Sequence, residues 1–148
     1  MRIALVLLAV LTLTAGDSKP VAKKDLPAPV LAAFQKAYPT AKLKVCSSEL
    51  RDGKTCYELE SKDGKTQRDL IYSADGSVME IEESLAIAAL PEAVKKAEAD
   101  QYPKVVAKKA EKLTKGNEVS YEVVVKDGKK KMELVFDAEG KLKTKVKN

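Results

Sequence analysis

The chain has 148 residues, with 27 basic and 22 acidic side chains for a net charge of +5, and it contains no histidine and no tryptophan. The missing histidine removes the side chain most used for acid–base work near neutral pH, and the commonest metal ligand. With no Gly-rich phosphate loop either, the composition points away from an enzyme and from any bound cofactor or metal.

Residues 1–16 read as a secretory signal peptide. Arg2 supplies one positive charge, Ile3 to Leu13 an apolar run, and Thr14, Ala15 and Gly16 the small residues around a cleavage site. The run falls short of the about 20 residues that a membrane span needs, and a lipoprotein signal would carry a cysteine where Asp17 stands. An exported protein is expected, periplasmic or extracellular, with no lipid anchor and no membrane span in the mature chain. Residues 17–25 are short and polar, and are expected to form a flexible leader.

Beyond the leader the chain repeats itself at an offset of 64 residues. Leu26-Pro27 aligns with Leu90-Pro91, Tyr38-Pro39 with Tyr102-Pro103, and Tyr57-Glu58 with Tyr121-Glu122. Lys62-Asp63-Gly64-Lys65 falls on Lys126-Asp127-Gly128-Lys129, and Ala74-Asp75-Gly76 on Ala138-Glu139-Gly140. Several multi-residue matches in one register, without an insertion, mark a duplication of residues 26–84 as 85–148.

Each copy opens with a helix. Pro27 and Pro91 suit a first turn, where the missing N–H costs nothing. Val30, Leu31, Phe34, Ala37 and Tyr38 recur at helical spacing, and Pro39 ends the run because the residue before proline is pushed out of the α region. The second helix, Pro91 to about Gln101, buries Val94, Ala97 and Tyr102. After each helix the period falls to two. Leu43 and Val45 alternate with Lys44 and Cys46; Tyr57 and Leu59 alternate with Cys56, Glu58 and Glu60; Leu70 and Tyr72 share a face; and a fourth run starts at Val78. Asp52-Gly53, Asp63-Gly64 and Asp75-Gly76 stand between the runs, the strongest short-range hairpin signal. The second copy follows suit, with Val119-Tyr121-Val123-Val125, Met132-Leu134-Phe136 and Leu142-Thr144-Val146 as apolar faces.

The predicted class is α+β: two tandem repeats, each one helix packed on the apolar face of a four-stranded antiparallel meander. The other sheet face is left to water. Residues pointing away from the helices, and so candidates for binding a partner, are Lys44, Glu58, Glu60, Lys108, Glu122, Val124, Lys143 and Lys145.

Asp52, Asp63 and Asp75 each precede a turn glycine and are read as turn residues rather than catalytic acids. Cys46 and Cys56 flank the first turn. Alternation puts both on the open face, and export favours a disulfide, worth about 2–3 kcal/mol for a loop of this size. A strict two-residue turn would instead set Cys46 opposite Leu59 and Cys56 opposite Glu49, so the bridge requires an odd loop or a bulge; two free thiols are the alternative. The copies differ in charge. Residues 26–84 hold 8 basic and 10 acidic side chains, whereas residues 85–148 hold 15 lysines and 10 acidic side chains. The run Lys129-Lys130-Lys131 and the alternating Lys141, Lys143, Lys145 and Lys147 read either as an edge strand guarded against pairing or as a site for a polyanion. Nucleic acid is not expected, because stacking aromatics and arginines are missing from that surface.

The order Leu-Pro, apolar helix, Tyr-Pro, Tyr-Glu, Asp-Gly, Asp-Gly, present twice, resembles the PepSY-like, beta-lactamase-inhibitor-like family of secreted bacterial proteins. The resemblance implies a helix and four antiparallel strands per repeat, with two repeats forming one concave sheet surface that grips a protein. The functional expectation is a non-catalytic exported module that binds an envelope or extracellular protein, with inhibition one form this could take. The alternative is a carrier or sensor of an anionic ligand or envelope polymer on the lysine-rich face of the second copy.

Overall fold

A computed structural model describes residues 18–147; the expected signal peptide lies outside the described residues. The first element among the described residues is a two-residue strand, β1 (Lys19–Pro20), followed by a 3-10 turn at Lys23–Asp25. Helix α1 (Ala28–Ala37) then leads into β2 (Lys42–Arg51), β3 (Lys54–Asp63), β4 (Thr66–Ser73) and β5 (Val78–Leu85). A second 3-10 turn at Ile87–Ala89 precedes α2 (Glu92–Gln101), β6 (Val106–Lys115), β7 (Glu118–Asp127), β8 (Lys130–Asp137) and β9 (Leu142–Lys147). Both helices end at the Tyr-Pro pairs: the Tyr38 N–H donates to the Phe34 carbonyl at 2.8 Å and the Tyr102 N–H to the Glu98 carbonyl at 2.9 Å, and the prolines stop propagation.

The strands do not form two sheets. All nine lie in one antiparallel sheet in chain order, because β5 pairs with β6 as tightly as hairpin neighbours do. Ile81 of β5 packs on the first core, and Leu85, four residues along the same face, packs on the second, opposite Ala110. Both helices therefore cover the same side of the sheet. The first core gathers Val30, Phe34, Leu59, Leu70 and Tyr72, with Tyr57 and Leu43 at its margin. The second gathers Val94, Ala110, Val123, Val125, Leu134 and Phe136, with Tyr121 and Ala107 at its margin.

Four β-bulges interrupt the alternation, at Lys44, Met79, Lys108 and Lys143. They fall at equivalent places, since Lys108 and Lys143 follow Lys44 and Met79 by the repeat offset. An extra residue reverses the facing of everything beyond it. Val45 therefore leaves the apolar face and is 47% exposed, while Cys46 turns inward to join the first core. In β9, Thr144 and Val146 pair with Val135 and Glu133 on the helix-free face, and Lys145 pairs with Leu134 on the helix side.

The expected disulfide is absent. Asp52-Gly53 forms a strict two-residue turn, with φ of 52° and 73°, between the paired Arg51 and Lys54. Cys46 consequently faces Leu59 and Cys56 faces Glu49, on opposite sides of the sheet. Both cysteines are free and buried, and the Cys56 Sγ sits 3.4 Å from the Met79 Sδ. The expected flexible leader is also corrected. Lys19 and Pro20 pair with Ser48 and Ser47, and the Val21 N–H donates to the Cys46 carbonyl at 2.9 Å. At the repeat offset these pairs become Glu83 with Lys112 and Ser84 with Glu111, so the leader occupies beside β2 the place that the end of β5 occupies beside β6.

Two measurements check this packing. Gly76 and Gly140 both have positive φ and press against the helices: a Cβ on Gly76 would lie 2.6 Å from the Pro29 carbonyl oxygen, and one on Gly140 would strike that of Ala93. Gly64 and Gly128 have positive φ with open space around them. Chemical denaturation should show Gly76→Ala and Gly140→Ala losing about 2–4 kcal/mol, against about 1 kcal/mol for Gly64→Ala and Gly128→Ala, since only the first pair adds a clash to backbone strain. Thiol titration of unreduced, denatured protein should count two thiols. The native thiols should react slowly, because burial pushes both above their usual range.

Candidate binding face

With α1 and α2 on one side, the opposite face of the sheet carries no covering element among the described residues. By register it presents Val45, Ser47, Glu49 and Arg51 on β2; Cys56, Glu58 and Glu60 on β3; and Asp69 and Ile71 on β4. It continues through Glu80 and Glu82 on β5, Glu111 and Leu113 on β6, Glu122 and Val124 on β7, and Glu133 and Val135 on β8. The face is not flat. Ile71, Val124 and Glu133 are only 3%, 8% and 2% exposed although neither described helix lies on this side.

A stripe of carboxylates crosses this face from β3 to β8. Glu60 stands opposite Asp69, Asp69 opposite Glu82, and Glu111 opposite Glu122. Like charges set directly opposite one another repel, and partial burial strengthens the effect. Burial, then Glu111, Glu80, Asp69 and Glu122, push the Glu82 carboxyl up to about 8. Burial, then Glu111 and Glu133, push Glu122 up to about 7, with Lys109 and Lys131 opposing. Burial and the carboxylates Glu60, Glu58 and Glu111 raise Asp69 to about 6. Glu58 is raised as well, by burial and then by Glu49, against a hydrogen bond that it accepts from the Ser47 hydroxyl at 3.3 Å.

Cations flank the stripe rather than filling it. Arg51 bridges Glu49 at 2.5 Å and Glu80 at 3.1 Å, Lys109 reaches Glu111 at 2.6 Å, and Lys131 reaches Glu133 at 2.8 Å. Among the described residues, no group of three or more acidic or cysteine side chains is arranged to hold a metal ion, and no helix is long and apolar enough to cross a membrane.

Of the residues expected here, Glu58, Glu60, Glu122 and Val124 lie on the helix-free face. Lys44, Lys108 and Lys143 stand at bulges, and Lys143 reaches across to Glu118. Lys145 does not belong to the face: its ammonium lies 4.4 Å from the centroid of the Tyr102 ring, on the helix side. Asp69, Glu82, Glu111 and Glu133 were missed. Simple alternation beside the core residues Leu70, Ile81 and Leu134 already sets Asp69, Glu82 and Glu133 on the opposite face, whereas Glu111 lies beyond the bulge at Lys108, which reverses its facing.

A family model described as "Putative beta-lactamase-inhibitor-like, PepSY-like" matches the chain twice, over residues 12–80 and 55–144. The chain belongs to this PepSY-like family. Solved structures share its fold. A beta-lactamase-inhibitory-protein-like protein from Bacteroides fragilis is 24% identical, with a TM-score of 0.63 over 80% of this chain and 84% of its own. A protein from Bacteroides uniformis, of a domain-of-unknown-function family, is 18% identical with a TM-score of 0.69 over 82% and 88%. One from Bacteroides eggerthii, described among "putative periplasmic proteins", is 18% identical with a TM-score of 0.68 over the same shares. No curated protein matches the chain. Such identities speak to the fold alone.

The stripe makes folding proton-linked. Glu82, Glu122 and Asp69 have folded pKa values above those of the unfolded chain, so their protonation stabilises the fold at low pH, and that stability is lost as pH rises through about 6 to 8. Asp75 acts oppositely. The Ser73 hydroxyl and the Ser77 N–H donate to its carboxylate and lower it to about 2, so its contribution is lost under strong acid. Thermal melts should peak near pH 4 and fall by about 3 °C or more by pH 9. Glu82→Gln should raise the melting temperature at pH 9 and leave it unchanged at pH 5.

Proposed function

We propose that this PepSY-like chain is an exported, non-catalytic binding module that takes a protein partner on the helix-free face of its sheet, the partner offering lysines or arginines to the carboxylate stripe. One observation carries the reading: folding is served by the covered side, yet the uncovered side gathers half-buried carboxylates at a cost in stability above neutral pH. Groups held in that state gain from a cation that arrives with a partner and replaces lost solvation. Half-buried Leu113 and Val135, and Val45 at 47% exposure, lie among the carboxylates on this face and supply the apolar contact that protein interfaces use. Export is supported by the signal-peptide character of residues 1–16 and by the periplasmic description of the Bacteroides eggerthii protein. The net positive charge of the second copy does not oppose this reading, because its face still carries Glu111, Glu118, Glu122 and Glu133.

The test is a cross-linked pull-down from the envelope fraction with the mature protein, followed by affinity measurements on the captured partner. Glu58→Lys and Glu122→Lys should each weaken the complex about tenfold or more, as loss of a desolvated charge pair does, without lowering the melting temperature. Lys36→Glu, on the exposed back of α1, should leave binding unchanged. Normal binding by the face variants together with loss in Lys36→Glu would sink the proposal.

A further inference from the structure

On the helix side of the sheet, a cleft of about 310 Å³ opens at the C-terminal end of α2. Tyr102, Val105 and Met132 give it an apolar lining, and Lys104, Lys130, Lys145 and Lys147 surround them, with Asp127 as the acidic member of the wall. Lys145 lies over the Tyr102 ring; among the described residues, Lys104, Lys130 and Lys147 enter no ion pair.

The duplication supplies an internal control. At the repeat offset, the same place in the first half holds Tyr38, Ala41 and Arg68, edged by Thr40, Thr66, Ile81 and Glu83. There Arg68 lies over the Tyr38 ring, 4.8 Å from its centroid, and pairs with Glu83, while Ile81 packs into the core. That position is plugged and its charge neutralised. In the second half Met132 replaces the arginine, Lys147 the glutamate and Lys145 the isoleucine, so the plug is gone and four cations ring an apolar lining. Folding does not require the exchange, because the first half folds with the plug in place.

We infer that this cleft binds a small organic anion with an apolar body, its acid group held by the lysines and its body against Tyr102, Val105 and Met132. The volume suits a molecule of one or two rings, and an aromatic wall with convergent charge is the usual make-up of a small-ligand site. Lys145 serves both parts, through the Tyr102 face and through the anion. The inference stands apart from protein binding, which uses the opposite side of the sheet.

The test uses 1-naphthalenesulfonate as probe, titrated into the mature protein at low salt and followed by the methionine methyl resonances. Met132 lines the cleft and Met79 lies on a bulge in the other half, so each site reports separately. The expected result is a saturable shift of the Met132 methyl with the Met79 methyl unmoved, and at least tenfold weaker binding for neutral 1-naphthalenemethanol. Lys130→Glu with Lys145→Glu should weaken binding at least tenfold, read by fluorescence as well. Met132→Arg with Lys147→Glu rebuilds the first half's plug, and should abolish binding while the protein still melts cooperatively. Non-saturating shifts, equal movement of both methyls, or binding by the lysine variants within twofold of the parent would overturn the inference. Pyrophosphate binding as tightly as the naphthalene probe would overturn the role of the apolar lining.

Discussion

Because β5 pairs with β6 and sets Leu85 opposite Ala110, the two halves share one sheet instead of standing as two. The pairing also fixes which side each helix takes. Residues four apart on a strand point the same way, so Ile81 in the first core and Leu85 against the second commit both helices to one side. A register slip of one residue at that junction would flip the second half and divide the uncovered surface. The continuous face, the carboxylate stripe across it and the opposite placement of the lysine cleft all follow from this ladder. At the outer edge, β1 repeats the arrangement in miniature by lying beside β2 as the end of β5 lies beside β6.

The stripe shows what the junction adds beyond either half. Glu82, the most strongly raised carboxyl on the face, belongs to the first half, yet after burial its leading perturber is Glu111 of the second. Neither half alone would raise it so far. The two sides of the sheet thus carry opposite electrostatic character: carboxylates concentrated where no helix packs, and free lysines around Tyr102 where one does. Net charge per copy, −2 against +5 by sequence, conceals this, because it sums over both faces.

The two halves of the sheet keep one frame and vary its contents. The helix stops, the glycines against the helices and the four bulges recur at one offset. Glu58 and Glu122 recur on the helix-free face, and Tyr38 and Tyr102 recur at the helix ends. Around the tyrosines the halves diverge, with an arginine–glutamate plug in one and a cleft in the other. Backbone geometry tolerates little change at a positive-φ glycine or a helix stop, whereas a side chain lining a cleft is free to vary once the core beneath it is filled.

Helices, strands, hairpin turns and the duplication were legible in the sequence, because each is written in short-range signals: Tyr-Pro stops, Asp-Gly turns and a switch of apolar period from helical to two. The main core residues followed from the same patterns. Facing beyond a bulge did not, since one extra residue at Lys44 or Lys143 inverts Cys46 and Lys145 without leaving a mark in composition. The free thiols, the docking of Lys19 and Pro20, and the meeting of Glu82 with Glu111 depend on ladders between strands up to about thirty residues apart. Local preference sets what each segment becomes, but which residues share a face is decided by the register that the strands adopt together.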